Sequence, residues 1–339
     1  MKNLGANRPS PGAGNVLGYV TDMAKAVVLY SGGLDSRLAL EIVKEWGVTV
    51  YPLHISHKLL SSQKLPLVEG LKTVDVTEEF AQIVQKPEYG YGKNLNPCID
   101  CRILMLRKAK EYMEKIKADF VVTGEVLDQR QMSQKLDTLM LIEKKAGLEG
   151  MVVRPLSGSL LPPTIPEQKG VINHTQLLTI RGRSRRLSLE IAKSKEITDF
   201  LSPSGGCLLT DPGFCRRLAD VLRFQENIGA VDIELLKIGR HFRIAPDAKL
   251  IVGRNEEENA RIEELAVNSH IFFYVPDTGS PNAILLGDKK HVKTAAAITA
   301  RYSDKKKEPE VEVHYRQKGK IETMIVKPIK DEDLSNWRI

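Results

Sequence analysis

The run Ala26-Val27-Val28-Leu29-Tyr30-Ser31-Gly32-Gly33-Leu34-Asp35-Ser36 constrains this chain more than any other stretch. Its unbroken apolar start reads as a buried strand that enters a glycine turn without a spacer. Beyond the turn, Leu38, Ala39, Ile42, Val43 and Trp46 recur on one face of a 3.6-residue period, and Gly47 supplies a helix stop. A strand, glycine turn and helix in this order bring free backbone N–H groups and the positive end of a helix dipole to one point, where phosphate binds. Gly32 and Gly33 let the backbone approach an anion with no Cβ in the way, and Ser31 and Ser36 add hydroxyl donors. Asp35 is out of place in a pure anion cradle, but it makes sense beside a magnesium ion on a pyrophosphate. The stretch lacks G-x-x-x-x-G-K-[ST] and so is not a Walker loop.

Further strands are predicted over 48–55, 71–76, 119–124 and 151–156, with a helix over 103–116 and a connection or short helix over 57–67. Strands alternating with helices imply an α/β domain built on a doubly wound parallel sheet, which binds ligands at the carboxyl ends of its strands. The 31–36 turn, His54, Gly124-Glu125 and Arg154 all fall at such ends. His54 suits either an adenine contact or core packing. The 157–182 segment, with Pro162-Pro163 and Pro166, reads as an excursion from the core. Arg181, Arg183, Arg185 and Arg186 are dense enough to contact RNA or a triphosphate, or they form a solvated helix start. A helix over 187–200, a tight loop over 202–207 and a helix over 214–226 follow. His57, His174 and His291 stand in polar surroundings and are expected to be exposed.

Near Val231 the pattern changes to short strands over 241–252, 270–275 and 283–286, helices over 256–266 and 292–301, and a terminal hairpin around Gly319. This describes a second, smaller α+β domain. The expected division is a flexible tail over 1–22, the nucleotide-binding domain over 23–228 and the second domain over 229–339. A chain of 339 residues can build two cores. Its net charge of +7 permits a polyanionic partner. It contains no run of about 18 apolar residues, so no membrane span is expected. The first 21 residues have no apolar signal-peptide core, and a cytoplasmic location is the expectation.

Asn96-Pro97-Cys98-Ile99-Asp100-Cys101 is the second informative stretch. A C-x-x-C pair lets two thiolates reach one metal, and a helix starting near Arg102 would lower their pKa values. Cys207, after Gly205-Gly206, is a candidate third ligand. Three cysteines suit an iron–sulfur cluster with one open iron, or a metal completed by another group. Four-cysteine zinc would need Cys215, which instead reads as a half-buried thiol in a helix. A thioredoxin-like redox pair would leave Cys207 without a role.

The 31–36 turn resembles the SGGxDS signature of the PP-loop ATP pyrophosphatases, of the adenine nucleotide α-hydrolase-like superfamily. Together with 96–101, 121–125 and 206–207 it is similar to the tRNA-thiolating branch, the 2-thiouridylases and 4-thiouridine synthetases, over about residues 24–220. Arg154-Pro155-Leu156 resembles the R-P-L of the 4-thiouridine synthetases and cluster-dependent thiolases. The 2-thiouridylases read N-P-D-x-x-C and T-G-H; here Cys98 and Glu125 replace the Asp and the His, which favours the cluster version over a persulfide one. Residues 251–259 resemble the V-G-R-N-x-x-x-N stretch of the NFACT-type RNA-binding domain, and 276–281 its D-x-P-G-S-H turn without the His.

The resemblance implies ATP held by Ser31, Gly32, Gly33, Asp35, Ser36, His54, Gly124 and Arg154, with Mg2+ at Asp35. It also implies a 4Fe-4S cluster on Cys98, Cys101 and Cys207, zinc being the alternative. The implied activity is a tRNA sulfurtransferase that adenylates a uridine carbonyl and replaces its oxygen with sulfur, with Asp35 and the three cysteines as catalytic residues. Its partners would be tRNA, held by Arg181, Arg183, Arg185, Arg254 and Lys305, and a sulfur donor, either free sulfide or a carrier protein. A homodimer is compatible with this. A nitrogen-transferring PP-loop enzyme and a non-catalytic, nucleotide-sensing RNA-binding factor are the other readings.

Overall fold

The computed structural model describes residues 23–59, 64–201 and 207–339. The expected N-terminal tail and the Gly205-Gly206 part of the loop before Cys207 lie outside them. The chain first builds β1 (Lys25–Leu29), α1 (Leu34–Glu45), β2 (Thr49–Ser56), β3 (Lys72–Asp75), α2 (Thr77–Gln85), α3 (Cys98–Ile116), β4 (Phe120–Val122), α4 (Leu136–Ala146) and β5 (Val152–Val153). The five strands form one parallel sheet in the order β3-β2-β1-β4-β5. β1 is apolar from Ala26 to Leu29 because both its faces are buried there. Val27 and Leu29 pack with Ile103, Leu106 and Ala109 of α3, while Ala26 and Val28 pack with Ala39, Leu40 and Val43 of α1. Strand order reverses between β1 and β4, and the crevice beyond their carboxyl ends is where such sheets take ligands.

α3 begins at Cys98, earlier than expected, so the cysteine pair lies in its first turn. α2 and α4 were not anticipated. Buried Glu143 interrupts the apolar stripe of α4 formed by Leu139, Ile142 and Ala146. The 157–182 segment holds the short helix α5 (Ile165–Gln168) and two 3₁₀ turns. The helix expected over 187–200 is α6 (Arg186–Ser194), and it stops sooner because Glu196 takes a positive φ of 56°. α7 (Pro212–Phe224) and α8 (Ala230–Lys237) follow.

The second sheet is antiparallel, in the order β11-β10-β8-β9-β7-β6. Its strands are β6 (Arg240–Ala245), β7 (Ala248–Val252), β8 (Ile271–Tyr274), β9 (Ala283–Gly287), β10 (Val311–Gln317) and β11 (Lys320–Val326). α9 (Glu256–Leu265) packs Ile262 and Leu265 against Ile251, Phe272 and Ile284. α10 (Val292–Arg301) covers the other face through Ala295, Ala296 and Ile298, and α11 (Asp331–Ser335) closes the chain. α8 belongs to both halves, with Ile233 and Leu236 in the first core and Leu235 against the second sheet. Among the described residues no helix is long and apolar enough to cross a membrane.

Candidate active site

The turn after β1 is held by its own side chains. Ser36 Oγ accepts from Ser31 N at 3.2 Å and donates to the Gly33 carbonyl at 2.9 Å. Gly32 has φ +74°, and a Cβ there would fall 2.7 Å from Leu65 and 2.9 Å from Pro66, so only glycine fits. Gly124, just past β4, lies against the same turn; a Cβ on it would sit 2.5 Å from the carbonyl carbon and oxygen of Asp35. The two strand ends at the sheet reversal are therefore in backbone contact. Asp35 Oδ2 accepts from Gln129 Nε2 at 3.0 Å, and its buried Oδ1 has no partner among the described residues. An unpaired, buried carboxylate oxygen beside a turn of this kind fits a magnesium contact.

The cysteines face the same space. A cleft of about 840 Å³ is lined by Ser31, Gly33, Asp35, Ser36, His54 and Gly124 on one side and by Cys98, Cys101 and Cys207 on another. That volume is of the size that holds a nucleotide-sized ligand. Pro97 precedes the helix, Asn96 Nδ2 donates to Cys98 Sγ at 3.1 Å, and Asp100 turns away to accept from Glu88 N and Tyr89 N at 2.9 and 3.2 Å. Asn94 Nδ2 donates to the Thr210 carbonyl at 2.8 Å, tying this loop to the Cys207 segment. At Cys101 the expected fall in thiol pKa is corrected by the structure. Burial pushes Cys101 up to about 12 and Cys207 up to about 11, and the neighbouring thiols add to the rise. Among the described residues no three His, Cys, Asp or Glu side chains are gathered closely enough to hold a metal as they stand. As a donor set, three recessed thiols on one cleft suit a thiophilic metal or cluster. Cys215 is buried, and its thiol donates to the Leu209 carbonyl at 3.2 Å, clear of the cleft.

Several expected contacts are not brought to the cleft. Arg154 is buried beneath it, its Nε 3.1 Å from Glu125 Oε2 and its Nη1 on Glu143. Glu125 also accepts from Thr123 Oγ1 at 3.1 Å and faces Arg102 Nε at 3.6 Å. Arg154 thus anchors Glu125 and leaves the nucleotide side of the sheet to other groups. Arg181 is exposed and paired with Asp128 at 2.6 Å, whereas Arg183 and Arg185 line the cleft. In the second half Arg254 is paired with Glu258, and Lys305 Nζ donates to the Pro276 carbonyl at 3.3 Å. The asparagines beside Arg254 are structural: Asn255 caps α9, and Asn259 binds Ser280 and Asn282.

His57, expected to be exposed, is buried in the cleft wall on the ring of Phe80, with centroids 4.1 Å apart. His54 Nδ1 donates to the Tyr30 carbonyl at 2.9 Å, which leaves Nε2 as an acceptor. Arg102, Gln129, Arg130 and Lys237 also line the cleft and were not singled out from the sequence. Their one available signal was position, since Gln129 and Arg130 lie shortly after a strand end and Arg102 directly after the C-x-x-C. Six lysines and arginines against three carboxylates make the cleft cationic.

A parallel sheet reversing at β1 and β4, with a serine–glycine turn at the reversal, is the arrangement expected of a PP-loop domain. Residues 22–160 match the thiamine biosynthesis protein (ThiI) family, and residues 239–338 match the NFACT protein RNA binding domain. The two matches fall on the two units of the fold, in the order expected from the motifs. It is 30% identical over 148 residues to a tRNA sulfurtransferase of Desulfurococcus amylolyticus, covering 40% of this chain and 30% of that protein. It is 24% identical over 246 residues to the tRNA-specific 2-thiouridylase MnmA of Petrotoga mobilis, covering 64% of each. The chain thus spans less than two thirds of either relative. Among solved structures, a 4-thiouridine synthetase–RNA complex with bound ATP aligns at 20% identity over 63% of this chain and 52% of that one, with a TM-score of 0.35. The U34-tRNA thiolase NcsA from Methanococcus maripaludis with its [4Fe-4S] cluster aligns at 14% identity over 54% and 60%, with a TM-score of 0.26. At these scores neither likeness bears on what this chain binds.

Proposed function

We propose that this protein is an ATP-dependent tRNA sulfurtransferase that adenylates a uridine carbonyl oxygen and then exchanges that oxygen for sulfur. The observation that carries the reading is the opening of the phosphate turn and three cysteines into one cationic cleft. The turn after β1 would hold the triphosphate through backbone N–H groups and the Ser31 and Ser36 hydroxyls. Asp35 would orient Mg2+ through its unpaired Oδ1. Attack by the uridine oxygen on the α-phosphorus would release pyrophosphate, and the departure of AMP would follow attack by sulfur at the base carbon. Cys98, Cys101 and Cys207 would hold a 4Fe-4S cluster, which when bound supplies sulfide in nucleophilic form without a redox change. Burial holds the Cys101 and Cys207 thiols neutral without it, so loading would release protons there. Arg183 and Arg185 would contact tRNA at the cleft, with the second domain, from about residue 229, gripping it elsewhere. Such a substrate would place the protein in the cytoplasm.

Mass spectrometry of tRNA nucleosides from a deletion strain tests the reading, with loss of one thionucleoside expected and restored by the wild-type gene. Replacing Cys98, Cys101 or Cys207 with Ala is expected to abolish restoration, while Cys215→Ala retains it. Asp35→Ala is expected to abolish AMP formation. Unchanged thionucleosides would sink the proposal, and full activity of Cys98→Ala would favour nitrogen transfer. Anaerobic purification with metal analysis separates iron from zinc.

A further inference from the structure

We propose that the guanidinium of Arg130 is the cationic group that meets the α-phosphate of the bound nucleotide, during adenylation and again when AMP leaves. The inference rests on reading the turn after β1 as a nucleotide site. Arg130 stands on the 126–134 segment, which folds back over that turn. This segment is fixed on both sides of Arg130. Asp128, at φ +62°, donates its N–H to the Gln134 carbonyl at 2.8 Å, and its carboxylate is held by Lys135 and Arg181 at 2.8 and 2.6 Å. Gln134 N donates to the Arg130 carbonyl at 3.0 Å, and Gln129 is hydrogen-bonded to Asp35 at 3.0 Å. The backbone of Arg130 is therefore positioned, while its guanidinium makes no ion pair or hydrogen bond among the described residues.

The surroundings of that guanidinium connect it to both halves of the cleft. Arg130 lines the same cleft as Ser31, Asp35 and Ser36 on the turn side and Cys98 and Cys207 on the cysteine side. It therefore lies within reach of both the phosphate turn and the cysteines, where a group shared by the two half-reactions must sit. Desolvation, and after it Arg102, hold its pKa below the usual arginine value. Arg102 is already engaged by Glu125. In the first half-reaction the uridine oxygen forms a bond to the α-phosphorus, and the bond to the bridging oxygen breaks with its electron pair on pyrophosphate. In the second, sulfide adds to the base carbon and the carbon–oxygen bond breaks with its electrons on AMP. Both steps load charge onto the same non-bridging oxygens, which a planar guanidinium can meet with two N–H groups.

Calorimetric titration of the full chain with AMP and with adenosine tests this without tRNA, and so independently of sulfur transfer. Arg130→Ala is expected to weaken AMP binding about tenfold or more and to leave adenosine unchanged. Arg130→Lys should recover part of the loss, and it carries the comparison if the alanine variant fails to fold. Arg130→Ala is also expected to slow tRNA-dependent AMP release from ATP about 100- to 1,000-fold. AMP affinity within twofold of wild type, or equal loss for AMP and adenosine, overturns the assignment. Wild-type protein that binds neither AMP nor adenosine overturns it too, together with the nucleotide reading. Intact AMP discrimination with unaltered thionucleosides in a deletion strain would sink sulfur transfer alone.

Discussion

The side-chain amide of Gln129 donates to Oδ2 of Asp35 at 3.0 Å, joining positions 94 residues apart in the chain. That bond fixes one carboxylate oxygen and leaves the other, Oδ1, buried and without a partner among the described residues. An acid that looks misplaced within its own motif is thus held in one orientation by the segment that follows β4. The same segment carries Arg130, so the turn after β1 and this cation are positioned together.

The contact between the two strand ends predicts a difference between glycines. A Cβ at position 124 would lie 2.5 Å from the carbonyl carbon and oxygen of Asp35, whereas at 33 its nearest neighbour is Ser31 Oγ at 3.6 Å. Gly124→Ala is expected to cost about 1–3 kcal/mol of stability and to weaken nucleotide binding. Gly33→Ala should fold normally, with loss confined to AMP affinity. Denaturant unfolding and AMP titration of both variants check this.

Burial separates two arginines that were both expected to meet a ligand, Arg154 the nucleotide and Arg181 the tRNA. Arg154 is 2% exposed and held by Glu125 and Glu143, while Arg181 makes an exposed pair with Asp128. Arg154→Ala leaves two buried carboxylates uncompensated and is expected to cost about 3–5 kcal/mol, against less than about 1 kcal/mol for Arg181→Ala. Urea midpoints measure both.

Asp220 on α7 ties the two halves together through Arg243 of β6 at 2.7 Å and Lys249 of β7 at 3.0 Å. Burial holds Lys249 down at about 8, and Asp220 opposes that fall. Asp220→Ala should lower it further and destabilise the protein by about 3 kcal/mol at neutral pH, since a buried ammonium loses its partner. The cost should shrink toward pH 9, where the amine is neutral in the fold. Thermal unfolding at both pH values is the test.

His57 makes the fold acid-sensitive. Burial, the largest cause, holds its pKa at about 4, with His54 and Lys237 adding to the fall and Asp75 opposing it. The folded value lies below the ordinary 6.5, so the unfolded chain binds more protons between pH 6.5 and 4. Stability therefore falls as pH drops through that window, by about 2–3 kcal/mol at pH 4.5. His57→Phe, which keeps an aromatic ring against Phe80, should remove this share of the pH dependence. Equal pH dependence in variant and wild type would refute the assignment.

The parallel sheet, the glycine turn after β1, the cysteine motif and the second α+β unit were all legible in the sequence. Each depends on residues close together in the chain: an apolar run, two glycines, a C-x-x-C, a helical stripe. What the sequence left open depends on contacts between distant segments. Arg154 and Arg183 carry the same charge, yet only the fold places Glu125 and Glu143 around the first and sets the second in the cleft. The helix dipole argued for low thiol pKa values, but desolvation by segments far along the chain outweighs it at Cys101. His57 stands among polar residues in sequence but against Phe80 in space. Local periodicity and turn chemistry determine which elements form, because their energetics act over a few residues. Which charged groups are buried, paired or left free for a ligand was decided by tertiary packing, because solvation and pairing depend on everything within a few ångströms, whatever its place in the chain.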